Sequence, residues 1–400
     1  MAALSCALTP AYTIRWKYGF YPTTLLEHAV LLTVLAFAIE TIRHRSRFHW
    51  RTTFTWPVAL LILAGAISVV VSPDRRGGLG LYRAYFLEPV AFFLVLSTVV
   101  REARRAFVIL GGLGVATLAV GLANAVVVIQ AILAHQLNLA GTPPVVIYQT
   151  SNAVALFLLP VIAVAAAIAA YGCVRTARLI SAGYLVLAVP SFLLTFSRGG
   201  YLALLGVGLG LALVSRRRRQ LLAVAIVAAV LFVLIPPVTT RIGYELGLNG
   251  NSTLVGRSYL WRATLQMLQH YPITGAGLSG FETRLAPYWN ATHTDRFIYP
   301  HNIVLNFWAA TGLLGLLAFL WLFVVAYLVS WRGWRSADDS WRAIELGVLL
   351  ALVGIVIHGL VDVPYLKNDL SLEFWALLGI SWAGLRWGSE NGRQSARDTG

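Results

Sequence analysis

The residues best suited to chemistry are one histidine and several arginines that lie beside apolar segments. His301 closes a long polar segment, residues 241–302, just before an apolar stretch that begins at Ile303. Histidine exchanges protons near neutral pH, so His301 is a candidate general base. A structural histidine that donates to a backbone carbonyl is an equally good interpretation of the spacing. The neighbouring Asn302 is a candidate for contact with a substrate.

Arginines supply complementary chemistry, because a guanidinium binds phosphate or carboxylate oxygens through two parallel hydrogen bonds. Arg198 lies in a short turn between two apolar segments and is followed by Gly199 and Gly200. These glycines would let a ligand approach, so we favour a ligand role over contact with lipid headgroups. Arg257 opens a stretch with helical spacing, where a pocket mouth and solvent are equally good surroundings. Substrate and lipid headgroups are equally good partners for three more arginines: Arg75, Arg76 and Arg83.

The sequence predicts neither a metal site nor a nucleotide cofactor. His270, His293 and His301 follow no known ligand spacing, and the polar segment contains no Asp-x-Asp pair. Residues 275–280 match the Gly-x-Gly-x-x-Gly dinucleotide pattern, but a Tyr-Pro breaker precedes them instead of a parallel strand. We interpret these glycines as flexible backbone close to a substrate.

Other ionisable side chains lie near the ends of apolar segments. His358 and Asp362 are four residues apart and share one helix face, so their side chains could hydrogen-bond. Ionisable residues at membrane depth are functional candidates, and pairing between helices is the alternative. The Gly-x-x-x-Gly spacing of residues 206–210 indicates close helix packing. The remaining candidates of this kind are Glu27, His28 and Glu88.

The composition is that of an all-α polytopic membrane protein. Hydrophobic residues make up 58% of the chain and charged residues only 12%, and the mean hydropathy is +0.74. The net charge of +15 is spread between apolar segments, so we expect membrane lipids as partners and no nucleic acid. Cys6 and Cys173 are too few for a disulfide framework.

Apolar segments of spanning length divide the chain. Their number predicts about eleven transmembrane helices, or about twelve if residues 1–21, which could be re-entrant or interfacial, enter the membrane. The predicted domains are a bundle at 1–238, a catalytic loop at 239–302, further helices at 303–388 and a tail at 389–400. The apolar segments are 22–41, 54–71, 85–100, 106–134, 151–170, 179–196, 199–214, 220–237, 303–330, 342–361 and 371–386.

Arginine-rich loops predict the orientation of these segments. Alternate loops hold most of the 31 Lys and Arg residues, and such loops face the cytoplasm. The C-terminus is then cytoplasmic, and the N-terminus and the polar segment 241–302 are extracytoplasmic. The cytoplasmic loops lie at 43–51, 101–105, 175–178, 216–219, 332–342 and 386–397.

A series of short motifs in the second half of the chain resembles the O-antigen ligase and polymerase family in order and spacing. The likeness covers roughly residues 140–330, whereas residues 1–139 match only as generic spanning helices. The motifs are Gln149-Thr150-Ser151-Asn152-Ala153, Ser197-Arg198-Gly199-Gly200, Gly256-Arg257 with Trp261, Tyr271-Pro272-Ile273-Thr274-Gly275-Ala276-Gly277, Pro300-His301-Asn302 and Thr311-Gly312-Leu313-Leu314-Gly315.

The resemblance implies a GT-C-like inverting glycosyltransferase in the bacterial plasma membrane. Its donor would be a glycan on undecaprenyl diphosphate, and its acceptor a hydroxyl-bearing glycan or lipid at the outer face. The resemblance assigns catalysis to His301 and diphosphate binding to Arg198 and Arg257. It implies no metal and no other cofactor.

Two other functions fit the sequence. A polysaccharide polymerase of the same family would use the same donor. A transporter of lipid-linked sugars would have a similar composition, but we find no internal repeat between the two halves, and the polar residues concentrate in one outer loop.

Overall fold

A computed structural model describes residues 1–44, 51–137, 143–215, 218–220, 239, 253–289 and 297–388. Residues 221–237 of the predicted apolar segment 220–237, the domain boundary at residue 238 and the tail at 389–400 lie outside these ranges. His293, much of the polar segment and parts of the arginine loops at 43–51 and 216–219 also lie outside them. All predicted substrate-contacting residues fall within the described ranges.

The N-terminal segment forms several short elements before the first long helix. It begins with helix α1, Ala2–Ala7, and a 3₁₀ turn, Thr9–Thr13. An antiparallel hairpin of β1, Arg15–Tyr18, and β2, Tyr21–Thr24, follows. This hairpin of two 4-residue strands is a local addition to the predicted all-α class. The longest helix before the hairpin has 6 residues, which is too short to cross a membrane.

The rest of the described chain is helical. Seven helical stretches are long and apolar enough to cross a membrane, which supports the predicted multi-pass class. Every predicted apolar segment other than 220–237 coincides with a helix. The helices are α2 Leu25–Arg43, α3 Thr55–Val71, α4 Arg75–Tyr82, α5 Glu88–Val99, α6 Ala103–Leu133, α7 Ser151–Tyr171, α8 Arg175–Leu193, α9 Arg198–Val214, α10 Thr253–His270, α11 Phe281–Leu285, α12 Ile303–Ser336, α13 Asp339–Gly359 and α14 Asn368–Ala383.

Helices α4 and α5 join through a π turn at Arg83–Leu87. Pro89 has no amide hydrogen to donate to the Tyr85 carbonyl, which instead accepts a hydrogen bond of 2.9 Å from the Tyr365 hydroxyl. The connection between the predicted apolar segments 54–71 and 85–100, where an outer loop is expected, is therefore largely helical and carries Arg75, Arg76 and Arg83.

Small residues let the central helices approach closely. A Cβ added at Gly206 of α9 would lie 2.2 Å from Ile357 Cδ1, and one at Gly210 would lie 2.6 Å from Leu350 Cδ2. Both partners belong to α13, so the Gly-x-x-x-Gly prediction of close packing is confirmed. Helix α13 also packs against α7, where a Cβ on Gly347 would lie 2.6 Å from Val164 Cα.

Helix α12 breaks at Gly312, although the sequence predicts one continuous helix there. Gly312 has a φ of +69°, and an added Cβ would lie 2.2 Å from the Ile273 carbonyl oxygen. The break frees backbone groups for the preceding loop: Leu313 N donates to Ile273 O at 2.9 Å. The loop after α10 is thus attached to α12 by backbone hydrogen bonds.

Candidate active site

Asn302 fixes the start of α12 and thereby the position of His301. Its Oδ1 accepts hydrogen bonds of 3.0 Å from Val304 N and Leu305 N, as expected of a helix N-cap. Its Nδ2 donates to Leu360 O at 2.9 Å, which ties the start of α12 to the segment after α13. The amide is therefore engaged at both ends, and contact between Asn302 and a substrate stays a prediction.

His301 has an uncommon backbone conformation. Its φ is +49°, in the left-handed region that few residues other than glycine adopt. Such residues are held in place by their surroundings and cluster at functional sites. Here Trp261 Nε1 donates to Pro300 O at 2.8 Å, and Asn302 holds the other side.

Asp362 is the hub of the site. Its Oδ1 lies 3.3 Å from His301 Nδ1 and accepts a hydrogen bond of 2.9 Å from Val363 N. Its Oδ2 accepts from Asn152 Nδ2 at 2.9 Å and lies 3.9 Å from Arg257 Nη2. One buried carboxylate thus joins the start of α7, helix α10, the start of α12 and the loop after α13.

The surroundings of Asp362 keep its carboxyl ionised. Burial raises its pKa, but the hydrogen bond and charge of His301, with the charges of His358 and Arg257, outweigh burial and leave the pKa below its ordinary value. An ionised carboxylate only accepts hydrogen bonds, so His301 Nδ1 must carry the hydrogen. In the neutral ring, His301 Nε2 is then the nitrogen with a free lone pair.

Tyr299 is not a competing base. Burial and the nearby charge of Asp362 raise the pKa of its phenol, which therefore stays neutral. Its ring packs edge-on against His301, with the ring centroids 4.7 Å apart. The side chain of His301 is 18% exposed, so a substrate hydroxyl can reach it.

Arg198 lies at the first position of α9, close to His358. Ser197 caps this helix by accepting from Gly200 N at 3.2 Å, and Ser197 Oγ lies 3.5 Å from His358 Nε2. His358 Nδ1 has no hydrogen-bond partner among the described residues. The hydrogen bond that the spacing of His358 and Asp362 allows does not form, because α13 ends at Gly359 and Asp362 bonds His301 instead.

The structure does not bring the three α4 and π-turn arginines to Asp362. Arg83 Nη2 lies 3.0 Å from Glu27 Oε2, and Arg83 Nε lies 3.0 Å from Glu88 Oε1. Arg75 Nε donates to Val70 O at 3.1 Å, and Arg76 Nη2 donates to Phe20 O at 2.9 Å. For Arg83, pairing with Glu27 and Glu88 matches the helix-pairing alternative for these carboxylates.

A cavity of about 440 Å³ adjoins the cluster at Tyr299. The described residues that line it include none of the arginines predicted to bind a substrate. The glycine loop reaches it at Gly277, but the same loop packs tightly elsewhere, where a Cβ on Gly275 would lie 2.3 Å from Trp308 O. The loop is thus anchored at Gly275, and its proximity to a substrate stays a prediction.

Sequence reasoning missed the central role of Asp362 and the contact that Asn152 makes with it. The sequence marks Asp362 as a candidate, because it is an ionisable residue at the end of an apolar helix, but the spacing relates it to His358 and not to His301. Nothing in the spacing relates Asn152 to a residue 210 positions later. That pairing is set by helix packing.

Comparison with known proteins identifies part of the chain. Residues 183–320 match the family model described as O-antigen ligase. The matched range contains Arg198, Arg257 and His301, whereas Asn152 and Asp362 lie outside it. A search of the curated proteins found no match.

Proposed function

We propose that this multi-pass membrane protein is a glycosyltransferase of the O-antigen ligase type. The match of residues 183–320 to that family supports the proposal. The protein moves a glycan from undecaprenyl diphosphate to an acceptor hydroxyl at the extracytoplasmic face, with inversion at the anomeric carbon. The observation that carries this proposal is the contact of His301 Nδ1 with the buried Asp362 carboxylate beside Arg257.

His301 acts as the general base in this proposal. Its Nε2 takes the proton of the acceptor hydroxyl while the hydroxyl oxygen attacks the anomeric carbon. Attack occurs opposite the bond to the diphosphate, which departs with that bond's electrons. The negative charge of Asp362 stabilises the imidazolium that forms, and the hydrogen bond at Nδ1 fixes the ring orientation.

Positive charge for the departing diphosphate comes from arginine and from helix ends. Arg257 approaches Asp362 only through Nη2, at 3.9 Å, so its planar fork is available to phosphate oxygens. Helices α7, α9 and α12 all begin near this cluster, and helix N-termini carry partial positive charge. Arg198, at the start of α9, is the second proposed diphosphate ligand.

Purified protein supplied with a lipid-linked glycan and a hydroxyl-bearing acceptor should form a covalent product in excess chelator. Arginine and helix N-termini would neutralise the diphosphate, and no group of three His, Cys, Asp or Glu side chains in the described ranges could hold a metal. Product analysis by mass spectrometry is the measurement. Activity that needs a divalent ion would contradict the metal-free reaction, and donor movement across vesicles without any product would support a transporter.

Arg257→Ala should weaken donor binding by about 10-fold or more, the loss expected for one charge-assisted hydrogen bond. Arg257→Lys should recover only part of it, because lysine lacks the planar fork. The measurement is donor affinity in nanodiscs. Arg262→Ala is the matched control, since Arg262 is an exposed arginine on the same helix. Unchanged donor affinity in Arg257→Ala would remove Arg257 from the diphosphate site.

The proposed orientation predicts opposite labelling of two exposed positions. In a Cys173→Ser background, Thr283→Cys should react with an impermeant thiol reagent in intact spheroplasts, because residue 283 lies in the predicted extracytoplasmic segment. Ser340→Cys should not react until the membrane is opened, because residue 340 lies in a predicted cytoplasmic loop. Cys6 is buried and gives little background. The reverse pattern would invert the topology.

A further inference from the structure

The cavity beside Tyr299 is lined by a buried hydrogen-bond donor that has no partner among the described residues. Asn306 lines this cavity from the second turn of α12 and is only 4% exposed. Its Nδ2 bonds to no group in the described part of the chain. An unpaired buried donor is costly, and a ligand oxygen at this position would relieve that cost.

Two cations stand at the same cavity without a carboxylate partner among the described residues. Lys367 lies over the Tyr148 ring, 5.3 Å from the ring centroid, and Arg15 donates to Tyr12 O at 3.2 Å. Burial lowers the pKa of Lys367, and the charges of Asp369 and Asp362 oppose this effect. A bound anion would stabilise the charged form of Lys367 further.

The remaining walls suit a carbohydrate. The rings of Tyr12, Tyr148 and Tyr299 offer apolar faces for the C–H groups of a sugar, and burial raises the pKa of each phenol, which keeps it neutral. Glu282 is the acidic side chain among the described lining residues, and it is exposed. Lys367 is thus the partly buried charge among the described lining residues, and the buried Asp369 lies behind the wall, where it accepts a hydrogen bond from the Tyr148 hydroxyl.

The cavity is adjacent to the reacting histidine and separate from the proposed donor arginines. Tyr299 lines the cavity and contacts His301. Arg257 approaches Asp362 from α10 and is not among the described residues that line the cavity. A sugar in the cavity would lie beside His301 while the diphosphate is held at Arg257. This arrangement keeps donor and acceptor on different residues.

We propose that this cavity is the acceptor subsite and that it binds a sugar bearing a phosphate or carboxylate group. Lys367 and Asn306 bind the anionic group, and Tyr299 lies between this group and His301. The acceptor role of this subsite rests on the proposed glycosyl transfer. Binding of the anionic sugar can be tested without transfer.

Saturation-transfer NMR on the full-length protein in nanodiscs tests the binding directly. The probes are glucose 6-phosphate, glucuronate and glucose. The wild-type protein should favour both charged sugars over glucose, and Lys367→Gln should weaken their binding by about 10-fold, as for one charge-assisted hydrogen bond. Lys17→Gln is the matched control, because Lys17 and Lys367 are the lysines of this sequence and Lys17 is exposed on β1.

A second variant covers the case in which Lys367→Gln does not fold. Asn306→Asp places negative charge at the unpartnered donor and should weaken the charged sugars more than glucose. Equal binding of all three probes to the wild-type protein, or a preference that survives both variants, would overturn the subsite.

Transfer kinetics separate acceptor from donor. Lys367→Gln should raise the KM for an anionic acceptor and leave donor affinity unchanged; a loss of donor affinity would assign the cavity to the donor diphosphate and overturn the proposal. If the wild-type protein transfers no glycan but binds the charged sugars through Lys367, the proposed function fails and the anionic sugar site stands.

Discussion

His301→Ala should lose about 10²- to 10⁴-fold in turnover, the usual contribution of a general base, while its affinity for the lipid-linked donor stays near that of the wild-type protein. The reason is that His301 and the proposed donor ligands are different residues with different contacts. His301 bonds Asp362 and packs against Tyr299, while Arg257 and Arg198 are the proposed diphosphate ligands. Single-turnover rates and donor affinity, measured on the same nanodisc preparation, give the two quantities separately.

His301→Gln is the control that distinguishes a base from a structural histidine. Glutamine can still donate a hydrogen bond toward Asp362 but cannot take a proton near neutral pH. If His301 is the base, this variant should be nearly as slow as His301→Ala. Ordinary turnover in His301→Gln would overturn the base assignment, and reduced donor affinity in both variants would move His301 into the donor site.

The helical part of the fold could be predicted from the sequence because each helix that is long and apolar enough to cross a membrane coincides with an apolar run of its own. Apolar runs such as 151–170 and 303–330 appear in the structure as α7 and α12. The break in α12 could not be predicted, since it depends on a hydrogen bond from Leu313 N to Ile273 O in a separate loop. The N-terminal hairpin was missed because its strands are only 4 residues long.

Residues of the candidate site could be predicted only where the residue type itself indicates a chemistry, as histidine indicates proton transfer and arginine indicates anion binding. His301 and Arg257 were chosen by type, and the structure brings both to the same carboxylate. Arg83 was chosen on the same grounds, yet it pairs with Glu27, which lies 56 positions away. Residue spacing does not show which side chains pair across such separations, so it cannot distinguish a guanidinium that binds a ligand from one that pairs with a carboxylate.

Asp362→Asn should also slow transfer strongly, by up to about 10⁴-fold, because a residue that acts through His301 can cost no more than the base itself contributes. Asparagine keeps the size of the side chain and can still accept from Val363 N, but it brings no negative charge to the imidazolium. Asp362→Glu keeps the charge and should recover part of the rate. The measurement is the single-turnover rate with donor saturating.

A double-variant cycle shows whether Asp362 works through His301. In a His301→Ala background, Asp362→Asn should cause little further loss, because the group it orients is already absent. If the rate losses of the two single variants multiply in the double variant, Asp362 serves transfer by another route, such as holding Arg257. A purely structural role would instead lower stability in both backgrounds alike.

The charge state of Asp362 has its own consequence for stability. Its folded pKa lies below the ordinary value of about 3.9, so the unfolded chain takes up a proton first as the pH falls. The stability that this carboxylate contributes is therefore complete above about pH 4 to 5 and is lost below that range as the pH falls toward the folded pKa. Thermal unfolding of the wild-type protein and of Asp362→Asn should show a gap in stability that does not narrow between pH 8 and pH 5 and that narrows on further acidification. A gap that already closes between pH 7 and pH 5 would mean that the carboxyl is protonated there, and His301 Nδ1 would then lack the charged acceptor that fixes its tautomer.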